Sequence, residues 1–339
     1  MAHPFLVKDI AFQAGLSTAT VDRVLNQRPG VRRQTTARVH AAIAELENQQ
    51  AGLDVQGRKF AIDIVMEAPE RFTSAVRRAF ESEAQTFAPT VFRCRFHFTE
   101  TMRPQDIVHL LDRIRLRGTD GLVLKAPDVP EVVGAVSRLE ESGIPVVTLV
   151  TDLPNSQRTA YAGADNRTAG ETAAYLIGER FAGAPATVLV TLSSGRFRGE
   201  EEREIGFRRV LRERYPSIRI VEISEGHGRD AETGALAGEA LSAHPDINAA
   251  YSIGGGNRSV LSAFERLDRR CSLFIAHDLD EDNLALLRAR RIHFVLHHDL
   301  KTDARTAFRT IMLHRRAASA AAGPQLSAVV VITPYNVPD

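Results

Sequence analysis

Three places in the 339-residue sequence carry residue types and spacings that could do chemistry. The first is a run of arginines, Arg23, Arg28, Arg32, Arg33 and Arg38, with Asp22 the one acid beside them. Residues 1–60 hold eight Lys/Arg against five Asp/Glu, so this end is about +3 and the remainder about −2. Such a local cation on a nearly neutral chain suits contact with a polyanion, phosphates above all. A solvated basic helix face is the alternative. The second place is Gly254-Gly255-Gly256, which invites a phosphate-loop reading. No Lys-Ser/Thr follows at the required spacing and no dinucleotide fingerprint is complete, so these glycines more simply let backbone approach a cleft. The third is His293, His297, His298 and Asp299, the one cluster of metal-like composition. On a strand His293 and His297 would share a face about 13 Å apart, too far for joint ligation. No metal and no cofactor are therefore expected. Nor does a Gly-x-Ser-x-Gly elbow, a paired cysteine motif or a kinase signature occur, so no catalytic residue is named and the chain is not read as an enzyme.

Bulk properties narrow the class. The chain is 44% apolar and 25% charged, an ordinary globular composition, and is long enough for two or three packed units. No stretch approaches the roughly 20 apolar residues of a membrane span. The N-terminus runs into Lys8 and Asp9 without the apolar core of a signal peptide. Cys94 and Cys271 lie far apart and suggest no disulfide framework. The expectation is a cytoplasmic protein with no membrane association.

The elements that must carry the arginines are short helices. Val7 to Ala14 places Val7, Ile10 and Ala11 at i, i+3 and i+4. Gly15 breaks that helix and Ser17 can cap a second, Ser17 to Asn26, which buries Val21, Val24 and Leu25 and exposes Thr18, Ala19, Asp22 and Arg23. Pro29 and Gly30 end it, and a third helix runs from about Gln34 to Leu46. Three small helices with a glycine turn between the first two make a helix-turn-helix, whose second helix can enter a major groove.

The residues Lys8-Asp9-Ile10-Ala11, Ala14-Gly15-Leu16-Ser17, Thr20-Val21, Arg23-Val24-Leu25-Asn26, Gly30-Val31 and Ala41 to Leu46 resemble the head of the lactose/galactose-repressor (LacI/GalR) family. The resemblance implies that Thr18 and Ala19 read base edges, while Ser17, Thr20, Arg23 and Asn26 hold phosphates or orient the helix. Asp22 departs from the small neutral residue usual there. It could accept a cytosine amino proton or bridge Arg23. Leu6 replaces the usual hydroxyl cap. After Leu46 the family's Pro-Asn is missing, and of its minor-groove wedge only Leu53 is a natural counterpart. The domains expected are a DNA-binding head over 1–46, a linker or hinge helix over 47–58, and a ligand-binding and dimerising body over 59–339.

From Phe60 onward short β-branched runs alternate with helical stretches. Ten strands are expected, at 60–66, 91–98, 121–124, 145–150, 187–192, 218–223, 249–253, 273–276, 293–296 and 328–332. Buried parallel strands with crossover helices make an α/β body, and so many strands suit two doubly wound lobes with a ligand at the strands' carboxyl ends. The body resembles the periplasmic-sugar-binding-protein fold that the same family carries. The resemblance runs through Gly143 to Thr148, Gly163-Ala164-Asp165-Asn166, Arg203 with Gly206-Phe207, Gly256-Asn257 and Phe274 to Asp278. It implies lobe 1 over about 59–163 and 293–323, and lobe 2 over about 164–292 and 324–339.

Carried across by that resemblance, Asp278 accepts ligand hydrogen bonds, Arg203 reaches into the cleft, and Asn257, Asp152 and His297 sit at its rim. Phe72 and Phe197 would stack on a ring. Arg71, Arg196 and His227 are further candidates. Asp165 and Asn166 read as a loop and a helix cap. The implied function is a sequence-specific DNA-binding regulator, a repressor by expectation. A mono- or disaccharide between the lobes would control operator affinity, and two heads would act on a homodimer. The alternatives are a regulator of another metabolite such as a purine, and a sugar-binding scaffold without operator binding.

Overall fold

The computed structural model describes residues 5–26, 28, 31–53, 58–315 and 326–338. It divides into two compact units, the head (residues 1–58, grouped with 88–91) and the body (residues 59–87 and 92–339).

In the head, α1 (Val7–Ala14) ends at Gly15, whose left-handed backbone (φ 58°) lets its N–H reach back to Ala11 and Phe12 carbonyls. The Ser17 hydroxyl accepts the Thr20 N–H at 3.2 Å and so starts α2 (Thr18–Leu25). Ile10, Ala11, Val21, Val24, Val39 and Ile43 form the small core. Arg38 Nη2 donates to the Ala14 carbonyl at 2.7 Å, tying α1 to α3 (Arg33–Leu53). The third helix therefore does not stop at Leu46. Glu47 to Ala51 are mostly residues that hold a helix, and the single Gly52 is not enough to end it earlier. The side chain of Leu53 and residues 54–57 of the expected hinge lie outside the described residues.

The body contains two sheets. The first has the order β2-β1-β3-β4-β5, from β1 (Lys59–Glu67), β2 (Val91–Thr99), β3 (Gly121–Lys125), β4 (Val146–Leu149) and β5 (Ala160–Ala162). The second has the order β11-β10-β9-β8-β6-β7, from β6 (Ala186–Thr191), β7 (Ile218–Ile223), β8 (Ile247–Ser252), β9 (Leu273–His277), β10 (Phe294–His297) and β11 (Val330–Ile332). Continuous apolar runs such as Thr187 to Val190 become parallel strands buried on both faces. The exception is β11, which returns antiparallel to β10.

Helices α4 (Glu70–Gln85), α5 (Pro104–Arg117), α6 (Pro130–Glu141) and α12 (Leu300–His314) cover the first sheet. The second is covered by α7 (Asn166–Phe181), α8 (Arg198–Arg214), α9 (Asp230–Ala243), α10 (Asn257–Arg266) and α11 (Glu281–Arg288). Glycine sets the fit of α7 on α8. A Cβ on Gly170 would lie 1.8 Å from the Arg203 carbonyl oxygen, and one on Gly206 would lie 2.2 Å from that of Arg167.

Three details differ from the expectations. The short strand β5 was not foreseen, because three residues between polar neighbours give no periodic run. The strand β10 belongs to the second sheet, not to lobe 1, so the chain returns to lobe 1 at His298 and Asp299 rather than at residue 293. Hydrogen bonding to β9 decides this, and no hydropathy pattern records which sheet a strand joins. The third crossing was expected near residue 324, which lies outside the described residues. At its far side Ser327 N–H donates to the Gly163 carbonyl at 2.9 Å, so the first and third crossings run side by side.

Candidate ligand cleft and DNA-binding face

The carboxyl ends of strands from both sheets open on one cleft of about 780 Å³, its mouth included. From the first lobe come Glu67 at the end of β1, Lys125 at the end of β3, and Arg71 and Phe72 at the start of α4. From the second come Ser193 after β6, Phe197 and Arg203 around the start of α8, Gly254 after β8, and Asp278 after β9. Parallel strands leave their polar closing residues on this edge, which is why the cleft forms there.

Asp278 is the most constrained of these groups. Its backbone is left-handed (φ 62°), a strained state for an aspartate. Its Oδ1 meets Nε2 of buried His298 at 3.3 Å, as an ion pair without an aligned hydrogen bond. His298 Nδ1 lies 2.6 Å from Asp303 Oδ2 on α12. Burial alone would lower the imidazole pKa, but the carboxylates of Asp278 and Asp303 outweigh it and push the value up to about 10. Burial alone would raise Asp278, yet His298 and Arg203 hold its carboxyl below the usual range. Neighbouring His277 is held neutral by burial and then by Arg203, its Nε2 lying 2.8 Å from the Tyr251 hydroxyl.

Arg203 is buried and donates from Nε to Asn166 Oδ1 at 2.8 Å, while Asn166 Nδ2 donates to the Val150 carbonyl. Asn166 is therefore an orienting group for Arg203, and the cap of α7 is Asp165. Glu67 is 2% exposed, with Oε1 at 3.0 Å from Arg196 Nη2 and Oε2 without a partner. Burial raises its pKa against the pull of Arg196 and Lys125. The Lys125 ammonium donates to the Glu67 carbonyl at 2.8 Å. Burial lowers its pKa against Glu200 and Glu67.

The lobes touch across this cleft. Arg71 Nη2 donates to the Gly228 carbonyl at 2.9 Å and its Nε lies 3.1 Å from Asp280. Lys125 Nζ sits 3.9 Å from the centre of the Phe197 ring.

Of the residues named from sequence, Phe72, Phe197, Arg203 and Asp278 line the cleft, as do Arg71 and His227. The Phe197 ring face expected to stack on a ligand is covered by Lys125. Three residues need correction, because they do not line the cleft. Asp152 is consumed by Arg158, by the Thr148 hydroxyl at 2.7 Å and by the Leu153 N–H at 2.8 Å. Asn257 is buried at the start of α10 and donates to Asn283 Oδ1 at 2.6 Å. His297 accepts the Leu279 N–H through Nδ1 at 3.2 Å and supports the turn after Asp278. Sequence reasoning missed Glu67, Lys125 and Asn283. For Glu67 the signal was available, since it is the acid that closes an apolar strand run.

On the head, Ser17, Thr18, Ala19, Arg23 and Asn26 are exposed along α2 and Thr20 is half-buried. The Thr20 and Ser17 hydroxyls are 2.9 Å apart. Asp22 does not bridge Arg23. It is held by Asn26 Nδ2 at 2.8 Å and by Arg28 at 3.3 Å, which turns its carboxylate along the helix end. Among the described residues no His/Cys/Asp/Glu group is placed to hold a metal, and no helix is long and apolar enough to cross a membrane.

Comparison with known proteins agrees with this two-part build. The model of the bacterial regulatory proteins of the lacI family matches residues 6–49, and that of the periplasmic binding protein domain matches residues 64–317. No curated protein sequence matches the chain. Among solved structures, a glucose-galactose binding protein from Geobacillus stearothermophilus is 21% identical, with 83% of this chain and 99% of that one covered at a TM-score of 0.72. A solute binding protein of an ABC transporter from Burkholderia graminis, in complex with D-arabinose, is 20% identical over 83% of this chain and 97% of that one, with a TM-score of 0.73. A LacI transcriptional regulator from Bacteroides fragilis is 18% identical over 83% and 98%, with a TM-score of 0.70. The chain belongs to the periplasmic binding protein domain family and carries the lacI-type helix-turn-helix ahead of that domain, which makes it a DNA-binding regulator of the LacI family.

Proposed function

We propose that this regulator is a repressor whose operator affinity is set by an uncharged mono- or disaccharide held between the two lobes. The observation that carries the reading is the pairing of open acceptors with fixed donors in one cleft. Glu67 Oε2 is buried without a partner and Asp278 Oδ1 has no aligned hydrogen bond, while Lys125, Arg203 and Phe72 line the same cleft. Carboxylates take hydroxyl protons through charge-assisted bonds, and an aromatic face covers the apolar side of a sugar ring. The lining acids Glu67, Glu100, Glu200, Asp278 and Asp280 meet Arg71, Lys125 and Arg203, with Arg196 on Glu67 and charged His298 on Asp278, a near-balanced set that suits an uncharged ligand. A purine is disfavoured, because the Phe197 face that could sandwich it holds Lys125. The relatives of similar fold, one bound to D-arabinose, support the same class of ligand.

In this reading α2 lies in the major groove, with Thr18 and Ala19 at base edges and Ser17, Thr20, Arg23 and Asn26 on phosphates or orienting the helix. Leu53 stands nearest to a minor-groove wedge. The head, the linker and the two-lobed body act as separate domains of a cytoplasmic homodimer. The chain is read as a binder rather than an enzyme, since both matching family models are of regulator and binding-protein type. A thermal-shift screen of the full chain against monosaccharides, disaccharides, polyols and purines tests this. At a hundred times its dissociation constant a true ligand adds about 2.7 kcal/mol. The Asp278→Asn variant should lose that shift and its operator release while still binding DNA. An unchanged sugar response in the variant, or a shift with purines alone, would sink the reading.

A further inference from the structure

At the opposite edge of the second sheet lies another concavity of about 600 Å³, its mouth included, lined by arginines. It opens at the amino ends of β9 and β10, roughly 20 Å along the strand from Asp278. Two similar turns build it. In the first, α10 passes through Leu267 and Asp268 to deliver Arg269 and Arg270; in the second, α11 passes through Ala289 to Arg290 and Arg291. Both turns hold a non-glycine residue in the left-handed region, Asp268 at φ 52° and Arg290 at φ 56°. Backbone strain of this kind persists only where the surroundings impose it.

The lining carries Arg269, Arg270, Arg290 and Arg291 against the single acid Glu265. Arg269 is spent on the Leu241 and Ile247 carbonyls, and Arg291 pairs with Glu265. Among the described residues Arg290 makes one side-chain hydrogen bond, to the exposed Tyr335 hydroxyl at 3.0 Å. Arg270 is exposed and makes no hydrogen bond or ion pair among the described residues. Between them His293 accepts the Phe274 N–H through Nδ1 at 3.0 Å, which leaves the ring proton on Nε2 as a donor. Burial and then the charges of Arg180 and Arg270 lower the His293 pKa, so the ring stays neutral beside the guanidinium groups.

We propose that this pocket is a second small-molecule site and takes a phosphoryl dianion, as a phosphomonoester or pyrophosphate. Guanidinium groups hold phosphate oxygens in bidentate pairs, and a neutral imidazole N–H adds a directed bond. In the cleft Arg71 is paired with Asp280 and Arg203 is held by Asn166, so a phosphorylated metabolite and an uncharged sugar would reach the regulator at opposite ends of one lobe. The proposal does not depend on which ligand the cleft binds. The arginines line a hollow rather than a ridge, which favours a small anion over a nucleic-acid backbone.

The test is calorimetric titration of the full chain with inorganic pyrophosphate, inorganic phosphate and a hexose 6-phosphate at fixed ionic strength. The His293 ring signal is followed by NMR in parallel. Saturable binding is expected, with the His293 pKa moving upward on occupancy because an anion stabilises its protonated form. The R270Q/R290Q double variant should weaken binding at least tenfold while melting as the wild type does. Arg270→Gln alone should retain part of the affinity. Tighter binding of the phosphate ester than of inorganic phosphate would identify a metabolite as the source, and the reverse a free anion. The proposal is overturned by equal binding in wild type and double variant, by an equal effect of sodium chloride, or by operator DNA moving the His293 signal in place of the small anions.

Discussion

Replacing His298 by glutamine removes the cation that sits between Asp278 and Asp303 and keeps a side chain of similar reach. An imidazole held at about 10 against an ordinary 6.5 corresponds to on the order of 4–5 kcal/mol favouring the charged form in the folded state. The folded pKa lies above the unfolded one, so this stabilisation is fully present below about pH 6.5 and is lost as pH rises toward 10. Between pH 7 and pH 9 the native protein should therefore lose about 2–3 kcal/mol of unfolding free energy that the variant does not have to lose. At pH 7 the His298→Gln body should be less stable by about 3–5 kcal/mol, because buried Asp303 loses its counter-charge and Asp278 keeps only that of Arg203. Urea unfolding followed by tyrosine fluorescence measures this cleanly. The chain has no tryptophan and all five tyrosines lie in the body, so the head is silent. Glu67 is common to both proteins and cancels in the difference, whereas His277 and His297 lose in the variant the part of their lowering that His298 supplies. A gap between wild type and variant that stays constant from pH 6.5 to 9.5 would refute the assignment of a charged His298.

Two further outcomes test other parts of the molecule. Arg23→Ala should weaken operator and non-specific DNA alike and flatten the slope of log affinity against log salt by about 0.9, whereas Thr18 substitutions should change which operator is chosen; filter binding across a salt series decides it. Gly170→Ala should destabilise the body by about 1–3 kcal/mol, since the added methyl must displace the Arg203 carbonyl and with it the seat of α8; an unchanged melting point would mean that α7 and α8 have slack the packing does not suggest.

Much of the architecture was legible because buried parallel strands leave long apolar runs and the helices between them leave periodic ones. The helix-turn-helix was plainer still, its cap at Ser17 and stop at Gly15 being written in residue type. What sequence could not show was competition among polar groups. Nothing around Asp152 announces that Arg158, a few residues later, will fold back and occupy both its oxygens. His297 and His298 are adjacent and alike in composition. Only the register of β10 decides that the second meets Asp278 while the first serves a turn. Lys125 was overlooked for the opposite reason, since a lysine closing a strand looks solvated until a second lobe buries it.

The passage of the chain from β10 into α12 also bears on how the protein is made. Phe308 of α12 stacks on Phe92 at 4.1 Å between ring centres and meets Phe80 and Phe87 edge-on. Neither lobe is one continuous stretch: the first needs α12, and the second needs β11 after it. At about 5–20 residues per second, the aromatic cluster leaves the ribosome on the order of ten to forty seconds before its covering helix exists. During that interval the nascent first lobe presents an apolar face to its surroundings. Chaperone occupancy during synthesis, and the fate of any truncated chain ending before residue 300, should follow from that wait rather than from the strength of the finished fold.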